Sequence, residues 1–202
     1  MQTDPTPSPA DKLAPAGQAA SVGAPGANGA NGANGTNAAS KGPRRADLPF
    51  MLTHPLHILS LGFGSGLSRL APGTAGTLFA WAAFEVLSRY FTVLDWGLLI
   101  IVGFLAGIGI TGFTAKALRN EDPSAIVWDE IVAFWLVLLM ITPIGFTGKL
   151  WAFIVFRFFD MVKPPPIRYF ERCFKGGFGI MLDDLIAAFF TLLVIALWRM
   201  SV

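Results

Sequence analysis

After residue 74 the chain alternates between apolar blocks of helix length and short polar or proline-glycine breaks. The first block, Ala75 to Leu94, is interrupted by Glu85 and Arg89, which at i, i+4 share one helix face and can pair there. The second, Trp96 to Ala115, contains no charged residue. The third runs from Ile131 to Gly148 and is introduced by the pair Asp129-Glu130. The fourth, Leu150 to Val162, is short and holds Arg157 and Asp160. The fifth, Ile180 to Trp198, carries Asp183 and Asp184 in its expected first turn. A helix needs about 20 apolar residues to cross hydrocarbon, so this pattern predicts an all-α, polytopic membrane helix bundle of about five segments. Ahead of the blocks, Phe50 to Leu61 is apolar but contains Pro55, His54 and His57, which suits a short interfacial helix. Residues 1–48 have almost no large apolar side chains and include an Ala-Asn-Gly repeat, so a disordered tail is expected before a membrane-embedded domain at 49–202.

Composition strengthens the membrane reading. Hydrophobic residues make up 53% of the chain and charged residues only 14%, more apolar surface than one soluble domain of 202 residues needs. The net charge of +2 is dispersed, which argues against a nucleic-acid partner. A single cysteine, Cys173, excludes an internal disulfide, and two histidines leave little room for zinc or histidine chemistry. With a cytoplasmic N-terminus and five crossings, eleven Lys and Arg fall inside and only Arg89, Lys149 and Arg199 outside, as positive-inside topology requires.

The same threading brings Asp129 and Glu130, Asp160, and Asp183 and Asp184 to one depth on the cytoplasmic side. Carboxylates at the border of hydrocarbon are costly unless they face a wet interior, pair with cations or bind metal. Convergent oxygens with few His or Cys favour a hard cation, and Mg²⁺ when phosphate completes its coordination. Arg157, Lys163 and Arg168 lie close by as partners for an anionic phosphate, although Arg157 and Asp160 at i, i+3 also fit simple mutual neutralisation. The run Leu61 to Thr77 holds Ser65, Ser68, Thr74 and Thr77 among glycines just before an apolar helix. It fits equally a backbone cradle for phosphate and a re-entrant turn for close helix packing. Other phosphatase chemistries lack their residues. Position 179, six after Cys173, is Gly where a cysteine phosphatase needs Arg, no Asp-x-Asp occurs, and histidine is scarce. Attack by metal-activated water is what remains.

Several of these motifs together resemble one family. Gly62-Phe-Gly-Ser-Gly-Leu-Ser68, Ala71-Pro-Gly-Thr74, Ile126-Val-Trp-Asp-Glu130, Phe156-Arg157 with Asp160-Met161 and Lys163-Pro164, Pro166-Ile-Arg168, and Gly176-Gly177 with Gly179-Ile-Met181 and Asp183-Asp184 are similar, in order, to bacterial phosphatidylglycerophosphatase A. The resemblance covers about residues 50–198; Arg69, Leu70, Val162 and Lys175 depart from it. It implies a Mg²⁺-dependent, multi-pass inner-membrane phosphatase that converts phosphatidylglycerol phosphate to phosphatidylglycerol, with the active site facing the cytoplasm. The five carboxylates are the expected metal ligands and catalytic groups, with Arg157, Lys163, Arg168, Ser65 and Thr74 contacting substrate. The rival from another class is a small ion- or proton-coupled transporter using the same acids.

Overall fold

The computed structural model describes residues 42–121, 123–163, 165 and 174–201. Among them are two short helices, α1 (Leu48–Met51) and α2 (Pro55–Ser60), a 3₁₀ segment (Gly62–Leu67), and five longer helices. These are α3 (Pro72–Leu87), α4 (Val93–Leu118), α5 (Trp128–Ile141), α6 (Phe146–Val162) and α7 (Gly176–Ser201). The described fold is therefore all-helical, as the apolar blocks predict. Most of the expected tail, residues 1–41, lies outside the described residues.

α5 is the centre of the bundle and packs against α3, α4, α6 and α7. Val127, Ile131, Val132, Phe134, Val137 and Leu138 are buried all around its axis, which explains why its sequence shows no polar face. Two indoles fix it laterally: Trp128 Nε1 donates to Gly103 O of α4 at 3.0 Å, and Trp135 Nε1 donates to Ala80 O of α3 at 2.9 Å. Both carbonyls belong to neighbouring helices, so each bond joins two elements while satisfying a buried donor.

α4 and α7, 26 residues each, are long and apolar enough to cross a membrane. At 1.5 Å per residue each spans about 39 Å. Their outward faces expose Leu98, Ile101 and Leu105 on α4 and Phe189, Leu193 and Leu197 on α7, the surface that lipid contact requires. α3 and α5, with 16 and 14 residues, are shorter than their blocks suggest, whereas α6, with 17, starts four residues before its block. The first block breaks at Ser88–Thr92, where the Thr92 hydroxyl accepts from Asp95 N and the Asp95 carboxylate accepts from Thr92 N, a capping box that starts α4. The third block stops at Ile141, before Pro143 and Gly145. Glu85 also differs from expectation: its ion pair is with Lys149 of α6 at 2.6 Å, not with Arg89 one turn along.

The interfacial segment is two helices folded back onto the end of α4. The His57 ring is buried, stacks on Phe50 with centroids 4.3 Å apart, and has Nδ1 3.0 Å from Thr114 Oγ1. Burial, then His54, then Arg44, hold its pKa below the ordinary 6.5. α7 begins four residues before the predicted block, at Gly176, where φ is +73°. Gly177 then lies directly against the backbone of Ile108 and Gly112, and this contact sets the α4–α7 spacing.

Candidate active site

The starts of α3, α5 and α7 and the end of α6 surround a cavity of about 580 Å³. All five carboxylates named above line it, from three separate helices. Asp129 and Glu130 occupy the first turn of α5, and Asp160 the last turn of α6. Asp183 and Asp184 are the eighth and ninth residues of α7, not its first-turn residues, because the helix begins at Gly176. They are thus recessed by about two turns, roughly 10 Å, from the helix start. Asp129, Asp183 and Asp184 are buried.

Glu130, Asp160 and Asp184 each offer an oxygen within 4.8 Å of the other two. Arg157 binds this group from the side: a terminal guanidinium nitrogen donates to Glu130 Oε1 at 3.0 Å and makes a shorter contact with Asp160 Oδ2. The i, i+3 pairing expected from the sequence is present, and the link to Glu130, 27 residues away, adds α5 to it. Lys163 Nζ donates to Asp183 Oδ2 at 3.4 Å. Among the described residues of this cluster five acids face two cations, so negative charge is in excess when all ionise. Like charges at this spacing and burial repel strongly without further compensation.

The carboxylates also have unused acceptors. Asp129 Oδ1 and Asp184 Oδ2 are buried and have no hydrogen-bond partner among the described residues. Buried polar atoms are normally satisfied, so these two require a cation, water or protonation. An oxygen-only cluster with excess negative charge and orphaned acceptors fits a hard divalent cation.

Leu70 and Ala71 and the first residues of α3, Pro72 to Thr74, supply another wall. Gly73 allows this: a Cβ there would lie 2.0 Å from Glu130 Oε1, and one at Gly76 would lie 2.7 Å from Val127 Cβ. Gly73 belongs to the Ala71-Pro-Gly-Thr74 motif, whereas Gly76 was not singled out from the sequence, although their i, i+3 spacing marks one small-residue face. Thr74 lines the cavity as expected. Ser65 does not: its hydroxyl donates to Gly62 O at 2.8 Å. Left-handed Phe63 and Gly64, with φ of 55° and 100°, fold Gly62–Leu67 into a 3₁₀ turn, and Gly66 packs on the Ala125 carbonyl. This part of the glycine run is therefore a packing turn, and only its Leu70–Thr74 end reaches the cavity. At the mouth, exposed Lys175 and Glu121 pair at 3.3 Å. Arg168 lies outside the described residues.

Known proteins match this architecture by sequence. The family model described as Phosphatidylglycerophosphatase A matches residues 58–199, a range that includes the five carboxylates, Arg157 and Lys163. The chain is 37% identical over 151 residues to phosphatidylglycerophosphatase A of Escherichia coli, covering 72% of this chain and 86% of that one. It is 40% identical over 144 residues to the Haemophilus influenzae protein of the same name, covering 71% and 88%. A Bacteroides thetaiotaomicron relative, 40% identical over 149 residues and covering 70% and 92%, carries the provisional name of a phosphatidylinositol-3-phosphatase. No solved structure matches the chain. The family match across well over half of the sequence, and the relatives that it covers almost end to end, establish that the chain belongs to the phosphatidylglycerophosphatase A family.

Proposed function

We propose that the chain, through the domain at 49–202, hydrolyses the terminal phosphate of phosphatidylglycerol phosphate to give phosphatidylglycerol and inorganic phosphate. The reaction takes place in the bacterial inner membrane, with the cavity facing the cytoplasm. The observation that carries this reading is the recessed carboxylate cluster, with its orphaned oxygens, at one end of a bundle whose outer faces are apolar. Family membership supplies the lipid, and the Lys and Arg bias supplies the orientation.

Glu130, Asp160 and Asp184 would hold the cation, which we assign as Mg²⁺ on the chemistry of an all-oxygen site open to phosphate. When bound it neutralises phosphate charge and makes water a better nucleophile near neutral pH. The protein's own groups do the remaining work. Arg157 fixes Glu130 and Asp160 in one arrangement, so their mutual repulsion does not spread the site. Asp129 and Asp183, outside the closest trio, orient water and take its proton. Lys163, Arg168 and Thr74 receive the phosphate oxygens, and the N-terminal N–H groups of α3 add a partial positive charge. The oxygen of water ends on phosphorus, the bond from phosphorus to the glycerol oxygen breaks, and that oxygen leaves protonated.

Phosphate release by the full chain in mixed micelles tests the reading. The expected result is release from phosphatidylglycerol phosphate that stops on chelation, with slower release from phosphatidylinositol 3-phosphate. Asp129→Asn and Asp183→Asn should abolish it. No phosphate release, combined with ion flux in proteoliposomes, would replace the enzyme with the transporter.

A further inference from the structure

Beside the polar cavity lies a second hollow of about 280 Å³, bounded by α4, α5 and α7. Asp129 lines both spaces, and every other residue of the second wall is Ile, Leu, Val, Phe, Met or Ala. From Asp129 the hollow follows α5 past Val132 to Leu136, seven residues or about 10 Å deeper along the helix. α7 serves both spaces from adjacent positions: Asp183 and Asp184 face the cavity, whereas Met181 and Leu185 face the hollow. On the outer side Ile101 and Leu105 of α4 form the rim, 60% and 63% exposed on the bundle's apolar exterior. The result is a groove with a charged end at the carboxylates and an apolar length open toward lipid.

Water does not fill such a space well, because a buried water needs two to four polar partners and this wall offers one carboxylate. A linear hydrocarbon fits its shape and chemistry. We infer that the groove holds one acyl chain of the substrate, whose glycerol backbone crosses at Asp129 into the polar cavity. The inference rests on the proposed lipid phosphatase reading and extends it. The substrate enters sideways from the membrane between α4 and α7, and chain binding in the groove positions its phosphate. Such binding energy, realised away from the reacting atoms, raises the rate on lipid phosphomonoesters above that on chain-free ones.

The test compares dioleoyl phosphatidylglycerol phosphate with its deacylated form, using wild type, Leu136→Trp and Leu105→Trp. Filling the groove should lower kcat/KM on the lipid by about tenfold or more, while the deacylated substrate changes by less than about twofold. Leu98→Trp, equally exposed on α4 but outside the groove, should leave both activities unchanged. An equal loss on both substrates, or no loss on either, would overturn the inference. A wild-type chain that cleaves neither substrate would instead overturn the phosphatase reading beneath it. On the unmodified protein, a phospholipid with a diazirine in its acyl chain should label Leu105 and Leu136, with labelling suppressed by excess substrate. Labelling spread evenly over the exterior, or confined to a contact with a second copy of the chain, would count against it.

Discussion

Gly177→Ala is a sharp test of how the helices position the carboxylates. A Cβ at this position would sit 1.9 Å from the Ile108 carbonyl oxygen and 2.8 Å from Gly112 N. Real Cβ atoms essentially never approach closer than 3.0 Å, so α7 must move from α4 by at least 3.0 − 1.9 = 1.1 Å. Both colliding atoms are backbone, and no side chain can swing aside. Asp183 and Asp184 lie six and seven residues further along the same helix, so much of that movement reaches them. A displacement of about 1 Å at reacting groups can lower the rate by about 10²-fold, and overpacking at a helix contact costs about 1–3 kcal/mol. The expected variant is folded but less stable in detergent, with kcat reduced by about two orders of magnitude and a higher Mg²⁺ requirement. Gly109→Ala is the matched control, because its Cβ would meet nothing within 4 Å. A Gly177→Ala protein with wild-type kcat, Mg²⁺ response and melting temperature would refute the claim that this crossing sets the site.

Other substitutions separate structural from chemical roles. Arg157→Met should abolish phosphate release and lower stability by about 3–5 kcal/mol, since it leaves Glu130 and Asp160 without their shared cation; thermal unfolding in micelles with and without Mg²⁺ would show it. Lys149→Met breaks the partly exposed pair with Glu85 far along α3 from the cavity, so stability should fall by less than about 1 kcal/mol and kcat should not change. His57 gives a pH signature. Its folded pKa lies below 6.5, so the unfolded chain binds the proton more tightly and the contribution of His57 is lost as pH falls below that value. Melting temperatures at pH 7.5 and 5.5 should differ more in wild type than in His57→Phe, and equal differences would exclude this role.

The acids were legible in the sequence because their cost in apolar surroundings marks them, and because each stands at the edge of an apolar block. Helix existence was legible for the same reason. What sequence patterning cannot resolve is close backbone contact. The early start of α7 depends on Gly177 touching Ile108, and the break after Leu87 depends on the Thr92–Asp95 cap. Glu85 meets Lys149 across 64 residues, a partner invisible to i, i+4 reasoning. A glycine run signals freedom without direction, so where Ser65 points was not legible. Positive φ at Phe63 and Gly64 turned it toward its own backbone, and Gly73 and Gly76 took the place beside Glu130.

The central claim is that the buried carboxylates form a metal-dependent phosphomonoesterase site. Its most direct test is phosphate release from phosphatidylglycerol phosphate across a Mg²⁺ titration, comparing wild type with Asp184→Asn. Wild type should show saturable activation, and Asp184→Asn a loss of at least about 10³-fold at every Mg²⁺ concentration. Wild-type hydrolysis that survives complete chelation, or an Asp184→Asn enzyme that remains active, would contradict it.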